Sequence, residues 1–354
     1  MSEYVLDHHQ EGERERLALM SRLLDPMHRG HIERLGVGPG ARALEVGCGN
    51  GSVSAWLAGR VAPAGRAVAV DLDLSLVDAD VPGLELRQED ILTGRVEPGD
   101  FDLVTARAVL HHVGDAEAAV ANLLASVRPG GAVLLIEPDF LPVSVAEPPE
   151  IRAFWEGWLA WSREQGIDYF IGRRLPAMLS GLGLRDVRAT AETVHYNGGS
   201  AWAVYWRQTV AELRTRLVAS GKLDDRLIDT FLARCADPAW WTQTIAFTAA
   251  AGHVRGELEV GSLRRPRGGP RQHARSRPTA TLVSRAALAP WRRFAAEPLD
   301  PPAGRVSAGQ EIPAVASPIE DAGSQHGEDA AVLVVTDQAG GKGQPLHAVT
   351  ARRS

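Results

Sequence analysis

The sequence predicts a doubly wound α/β fold, on three observations. Short apolar runs of strand length alternate with helix-length segments from about residue 35 to residue 255. A glycine-rich turn, Gly47-Cys48-Gly49-Asn50-Gly51, joins the first run to the first helix after it. Acids recur where successive strands end, at Glu45, Asp71 and Asp90.

The elements follow in order. Residues 41–46 (ARALEV) read as a strand between Pro39-Gly40 and the glycine turn, and residues 52–59 (SVSAWLAG) as the helix behind it. Residues 66–70 lead into Asp71 as a second strand, residues 84–88 give a third, and residues 101–105 (FDLVT) give a fourth. Residues 115–127 have the spacing of an amphipathic helix, with Asp115 as its N-cap. Pro129-Gly130-Gly131 breaks that helix, and residues 132–136 (AVLLI) form a buried strand. Strands separated by helices of this length imply a parallel sheet with right-handed crossovers.

Two stretches depart from the alternation. Residues 151–165 are helical and aromatic, with Phe154, Trp155, Trp158 and Trp161. Residues 201–234 read as two helices holding Trp202, Tyr205 and Trp206. Residues 184–190 and 242–249 look like strands. The aromatic stretches read as insertions at about 141–172 and 194–240, together forming a cap, and exposed tryptophans there would favour a homodimer. Trp155, Trp158 and Trp161 fit a helix packed on the sheet first, and a lid over a site second, with room for both among different tryptophans.

Residues 1–34 form an N-terminal helical segment or lid, read as an amphipathic helix running to Leu24. Tyr4, His8 and His9 at its start could fold over a ligand. Residues 35–255 are the ligand-binding domain. Residues 256–354 change character: residues 261–293 carry nine arginines and no acid, with many Pro, Gly, Ala and Ser. No periodic face there could bury a core, so this tail reads as disordered.

Composition narrows the function. The net charge of −6 is spread along the chain and gives no pull toward nucleic acid or an anionic membrane. No apolar run approaches the about 20 residues that span a bilayer. Cys48 and Cys235 lie far apart without metal-ligand spacing, no metal quartet is present, and a cytoplasmic home is the simplest reading.

The turn itself selects a ligand class. Glycines let a ligand approach the main chain, and helix-start N–H groups favour an anionic group. A dinucleotide site wants Gly-x-Gly-x-x-Gly for its pyrophosphate. Here the spacing is Gly-x-Gly-x-Gly, Ser52 stands where the third dinucleotide glycine would be, and Glu45 sits at the mouth of the turn. A carboxylate there repels a diphosphate and suits a ligand with an ammonium and a sulfonium, as S-adenosylmethionine has. Asp71 can accept both ribose hydroxyl protons, and Asp90 can accept from the adenine amino group.

These residues resemble the class I S-adenosylmethionine-dependent methyltransferase family. The resemblance covers about residues 35–141, and more loosely the chain to His253. It rests on Leu44-Glu45-Val46-Gly47-Cys48-Gly49-Asn50-Gly51, Ala69-Val70-Asp71, Glu89-Asp90-Ile91, Leu110-His111-His112-Val113 and Arg128-Pro129-Gly130-Gly131. It implies a seven-stranded, mostly parallel sheet with a reversed last strand, residues 242–249. It implies Glu45 and Gly47, with Gly49 and Gly51 of the same turn, at the methionine part. Asp71, with Leu72 beside it, would hold the ribose. Asp90 and Ile91 would surround the adenine, and Arg107 would lie near the cofactor or the substrate entrance. The resemblance points to small-molecule enzymes of bacterial secondary or quinone metabolism.

Methyl transfer from a sulfonium is an in-line displacement, so positioning the acceptor does much of the work. For a hydroxyl acceptor a base helps, and His111 and His112 follow the fourth strand on the same rim. Glu137 and Asp139, after the fifth strand, could also bind an acceptor or serve a structural or solvated role. The expectation is therefore methylation of a small molecule, on oxygen before nitrogen or carbon. The alternatives are an NAD(P)-dependent oxidoreductase and a non-catalytic S-adenosylmethionine-binding regulator.

Overall fold

The computed structural model describes residues 12–77, 80–94 and 96–256. Tyr4, His8, His9 and residues 257–354 lie outside the described residues. α1 (Glu13–Arg34) leads into β1 (Arg42–Val46), the glycine turn and α2 (Ser52–Val61). β2 (Arg66–Asp71), β3 (Leu84–Gln88) and β4 (Phe101–Arg107) follow, then α3 (Ala116–Ser126) and β5 (Val127–Asp139). Asp115 caps α3, its Oδ1 accepting the Ala118 N–H at 3.0 Å.

α4 (Leu141–Ser144), α5 (Pro149–Glu164) and α6 (Leu175–Gly181) precede β6 (Arg185–Glu192) and the short β7 (His195–Asn197). α7 (Ala201–Ala219), α8 (Asp225–Ala236), β8 (Trp241–Gln243) and β9 (Ala246–His253) complete the described chain. The main sheet has seven strands in the order β3-β2-β1-β4-β5-β9-β6, and β7 pairs with β8 apart from it. β9 runs antiparallel to both neighbours while β1 to β5 are parallel. This is the predicted doubly wound sheet with its reversed strand.

Residues alternate between faces along each strand. α1 and α2 bury Leu24, Ile32, Val53 and Leu57 against Ala43, Leu103 and Leu134. On the opposite face α3 and α6 bury Val120, Leu123, Leu175 and Leu179 against Leu44, Val104 and Val133. Each central strand is therefore covered twice, which is why it reads as a continuous apolar run.

Three expectations are corrected. α1 does not end at Leu24 but continues through Pro26 to Arg34; burial of His28 and Ile32 outweighs the hydrogen bond that proline forgoes. The reversed strand is not residues 242–249: the chain leaves the small sheet at Gln243, Thr244 N donates to Val194 O, and β9 starts at Ala246. The tryptophans of α5 and α7 are not exposed. Trp155, Trp158 and Trp161 are 2%, 1% and 2% accessible, and Trp206 is 3%. Phe154 stacks on Phe231 at 4.0 Å and Trp155 meets Trp206 edge-on at 4.9 Å, so α5, α7 and α8 share an aromatic core.

Candidate active site

Sheet order places the candidate residues on one rim. β2, β1 and β4 are consecutive neighbours, and Glu45, Asp71 and Arg107 stand at or next to their carboxyl ends. Ligands of open α/β sheets bind outside these ends.

The glycine turn is fastened to β2. Gly47 N donates to Val70 O at 2.8 Å, and Gly49 N donates to Asp71 Oδ2 at 2.8 Å. Gly47 has φ 70°, and a Cβ there would collide with the Val109 side chain, so only glycine fits. Gly49 has φ 58° and its missing Cβ faces open space, which leaves its backbone approachable. Gly51, with φ 74°, is the residue from which α2 starts.

Asp71 Oδ1 accepts the Leu72 N–H at 2.7 Å, so each carboxylate oxygen takes one short backbone bond and keeps lone-pair capacity. The Leu72 side chain is exposed. Asp90 Oδ1 accepts from Leu92 N at 2.8 Å, and the buried Ile91 is held through Asn122 Nδ2 donating to its carbonyl at 2.6 Å.

Glu45 departs from its expected place. Its side chain is buried and accepts a hydrogen bond from Ser54 Oγ of α2, rather than standing exposed at the mouth of the turn. Burial pushes its carboxyl up to about 7, against the pull of the Ser54 hydroxyl and the Arg107 guanidinium. Arg107 is buried too, and its Nη1 pairs with Asp25 Oδ1 at 2.9 Å. Burial raises the Cys48 thiol far above its ordinary range, so it is a packing residue and not a thiolate.

α1 contributes a polar stripe that the sequence reading missed. Ser21 Oγ donates to Asn50 Oδ1 at 3.0 Å, inside the glycine turn. Asp25 binds Arg107 and also Arg29, at 2.9 Å each. His28 Nε2 lies 2.8 Å from Thr105 Oγ1, whose hydroxyl donates to Leu134 O. Because that hydroxyl is spent, Nε2 carries the hydrogen, and His28 Nδ1 is buried without a partner among the described residues. Residues 21, 25 and 28 share the helix phase of the buried Leu17, Leu24 and Ile32, and that shared phase was the available signal.

His111 and His112 lie in a single 3-10 turn, Leu110–His112, directly after β4. Their rings are 3.9 Å apart, and Tyr169 stacks on the other side of His111 at 5.4 Å. Burial pushes His111 down to about 3 and His112 well below its ordinary value, the latter also through its neighbouring imidazole. Both are therefore neutral at physiological pH, and their burial opposes protonation.

Glu137 and Asp139 are both occupied within the protein. Glu137 accepts the N–H groups of Val109 at 2.9 Å and Leu110 at 2.7 Å, and its Oε2 lies 2.8 Å from His111 Nδ1. Asp139 forms a two-pronged pair with Arg173, with Nε 2.7 Å from Oδ2. These partners make both acids holders of the rim.

Among the described residues no group of three His, Cys, Asp or Glu could hold a metal ion, and no helix is long and apolar enough to cross a membrane.

Residues 14–189 match the family described as methyltransferase domain. An uncharacterized 37.1 kDa protein of transposon Tn4556 from Streptomyces fradiae is 32% identical over 123 residues, covering 33% of this chain and 36% of that one. Demethylmenaquinone methyltransferase from Bacillus cereus is 33% identical over 133 residues, covering 35% of this chain and 53% of the relative. The chain thus spans about half or less of the curated relatives it matches. The solved YcgJ protein from Bacillus subtilis superposes with a TM-score of 0.44 and 17% identity, covering 64% of this chain and 97% of that one. Residues 14–189 are thus a methyltransferase domain, with the strand order that the resemblance to the class I S-adenosylmethionine-dependent family implies.

Proposed function

We propose that this protein transfers a methyl group from S-adenosylmethionine to a small-molecule acceptor, to oxygen in preference to nitrogen or carbon, by in-line displacement. One observation carries the reading. Carboxylates stand at the ends of β1 and β2 and just after β3, three adjacent strands, beside a turn whose central glycine opens onto free space. That arrangement fits the cofactor: open space over Gly49 for its methionine part, lone pairs on Asp71 for ribose hydroxyls, and Asp90 with Ile91 for an adenine. A dinucleotide fits poorly, because its diphosphate would enter a turn whose Gly49 N–H is already taken by the Asp71 carboxylate.

When bound, the cofactor supplies a methyl group already activated by a positive sulfur. What remains for the chain is to position the acceptor, exclude water and receive a proton. His111 or His112 serves as the base: each is neutral, and the acids that offset the burial opposing its protonation are Asp168 for His111 and Glu137 for His112. The Bacillus cereus relative is named for a quinone-type small molecule, which supports an acceptor of similar size. Two buried, unpaired cysteines fit a reducing compartment such as the cytoplasm.

The test is equilibrium binding of labelled S-adenosylmethionine and of NAD, followed by incubation of methyl-labelled cofactor with a fractionated metabolite pool. The reading predicts cofactor binding without NAD binding, and label in a small molecule. NAD binding overturns the cofactor; label confined to protein or nucleic acid overturns the acceptor class. Bound cofactor with no label transferred identifies a regulator instead of an enzyme.

A further inference from the structure

β6 ends the seven-stranded sheet and pairs only with β9, so its outer edge carries no strand among the described residues. Six of its eight residues are exposed, including neighbours that point to opposite faces, so little covers it on either side. Natural proteins blunt such edges with proline, lysine or bulges. Here the device is confined to one end. The pairing with β9 is irregular between Arg185 and Arg188, and Asp186 has φ 54°. Residues 188–192 (RATAE) are regular and hold neither proline nor lysine.

This stretch is complementary to itself. An antiparallel partner centred on Thr190 sets Arg188 opposite Glu192 twice, with Ala189 opposite Ala191 on the other face. Arg188 is exposed, and its side chain makes no ion pair or hydrogen bond among the described residues. The Glu192 side chain is 41% exposed and lies 3.2 Å from His31 Nε2. The ends agree with the middle. Val194 (42% exposed) and Trp241 (63%) stand past the carboxyl end of β6, and Leu182 (38%) stands before its start. Antiparallel pairing brings the Val194 and Trp241 end of each copy to the Leu182 end of the other.

We propose that the regular edge of β6 is the interface of a two-fold dimer with a second copy of this chain, in register about Thr190. A two-fold contact uses the same patch on both copies, as this charge order requires. The inference is independent of the reaction assigned above.

The experiment is sedimentation velocity on the full chain, with charge and cysteine variants. Wild type sediments as a dimer at about 50 μM, Arg188→Glu weakens association about tenfold or more, and Arg188→Glu with Glu192→Arg recovers it. Thr190→Cys links two copies under mild oxidation, since residues facing each other across an antiparallel pair lie about 4.5–5.5 Å apart at Cα, within disulfide reach. The two native cysteines are both buried and do not confuse the readout. A monomeric wild type overturns the proposal. So does a dimer that Arg188→Glu leaves at full strength, or that Thr190→Cys leaves without a disulfide.

Discussion

Glu137 Oε2 stands 2.8 Å from His111 Nδ1, while the same carboxylate gathers the backbone N–H groups that follow β4. One buried side chain thus sets both the path of the turn and the orientation of an imidazole. With Nδ1 turned to Glu137, the other ring nitrogen of His111 is the one left for an acceptor proton. Glutamine at this position would aim an N–H₂ at groups that are themselves donors. Glu137→Gln should cost ~2–4 kcal/mol in urea unfolding, because buried donors lose their acceptor. Turnover should fall about 100-fold or more while cofactor affinity stays near wild type. Unchanged turnover would show that this pair only braces the loop.

The two histidines separate binding from chemistry. His111→Ala and His112→Ala should each leave S-adenosylmethionine binding intact, and the variant that removes the base should slow turnover by about 10²-fold or more. Isothermal titration and single-turnover rates measure the two quantities. If both variants turn over at the wild-type rate, the acceptor needs no base from this turn.

Asp71 has two tasks in the structure, and two substitutions divide them. Asp71→Ala removes the acceptor for Gly49 N as well as the charge, and should weaken cofactor binding about 10–100-fold or more. Asp71→Asn can keep an oxygen on Gly49 N and should lose less. Wild-type affinity in Asp71→Ala would contradict the assigned pose.

Asp25 and Arg107 predict a non-additive pair. Both are under a tenth exposed. Asp25→Ala leaves a buried guanidinium without its carboxylate and should destabilise the fold by ~3 kcal/mol or more. Combining it with Arg107→Met should recover most of that loss, as a double-mutant cycle of denaturant midpoints would show. Additive losses would mean that the two side chains do not depend on each other.

His28 predicts the direction of one pH effect. Burial first, and Arg107 second, hold it well below the ordinary histidine value. The unfolded chain takes up a proton near pH 6.5 that the folded one refuses, so this group costs stability as pH falls below about 6.5. Glu45 and Glu137 work the other way: both are pushed up to about 7, so the folded chain keeps their protons longer and their contribution falls as pH rises from about 4.5 to 7. His28→Gln isolates the first effect. Its stability relative to wild type should improve by ~1–2 kcal/mol between pH 6.5 and 5 in urea titrations. Parallel curves would refute the assignment.

The sheet was legible because strands such as β1 and β4 are covered on both faces and leave an unbroken apolar mark. The site was legible where chemistry and position coincide: Gly47 needs its φ, and Asp71 must stand at a strand end. Glu45 was found by sequence but placed wrongly, since spacing does not say whether an acid looks toward solvent or toward a helix. Ser21, Asp25 and His28 escaped because a polar residue on an apolar helix face has no visible partner until the fold brings Asn50, Arg107 and Thr105 to it. Glu137 stayed divided between binding an acceptor and a structural role for the same reason. The tryptophans of α5 divide between lid and core only once α8 is seen against them.

The insertion of β9 between β5 and β6 has a consequence for synthesis. β6 leaves the ribosome before α7 and α8, yet its route into the sheet runs through residues 246–253, translated after both. Until then the nascent chain holds an orphan strand and two tethered helices, and β9, the last strand among the described residues, is the keystone that closes them in.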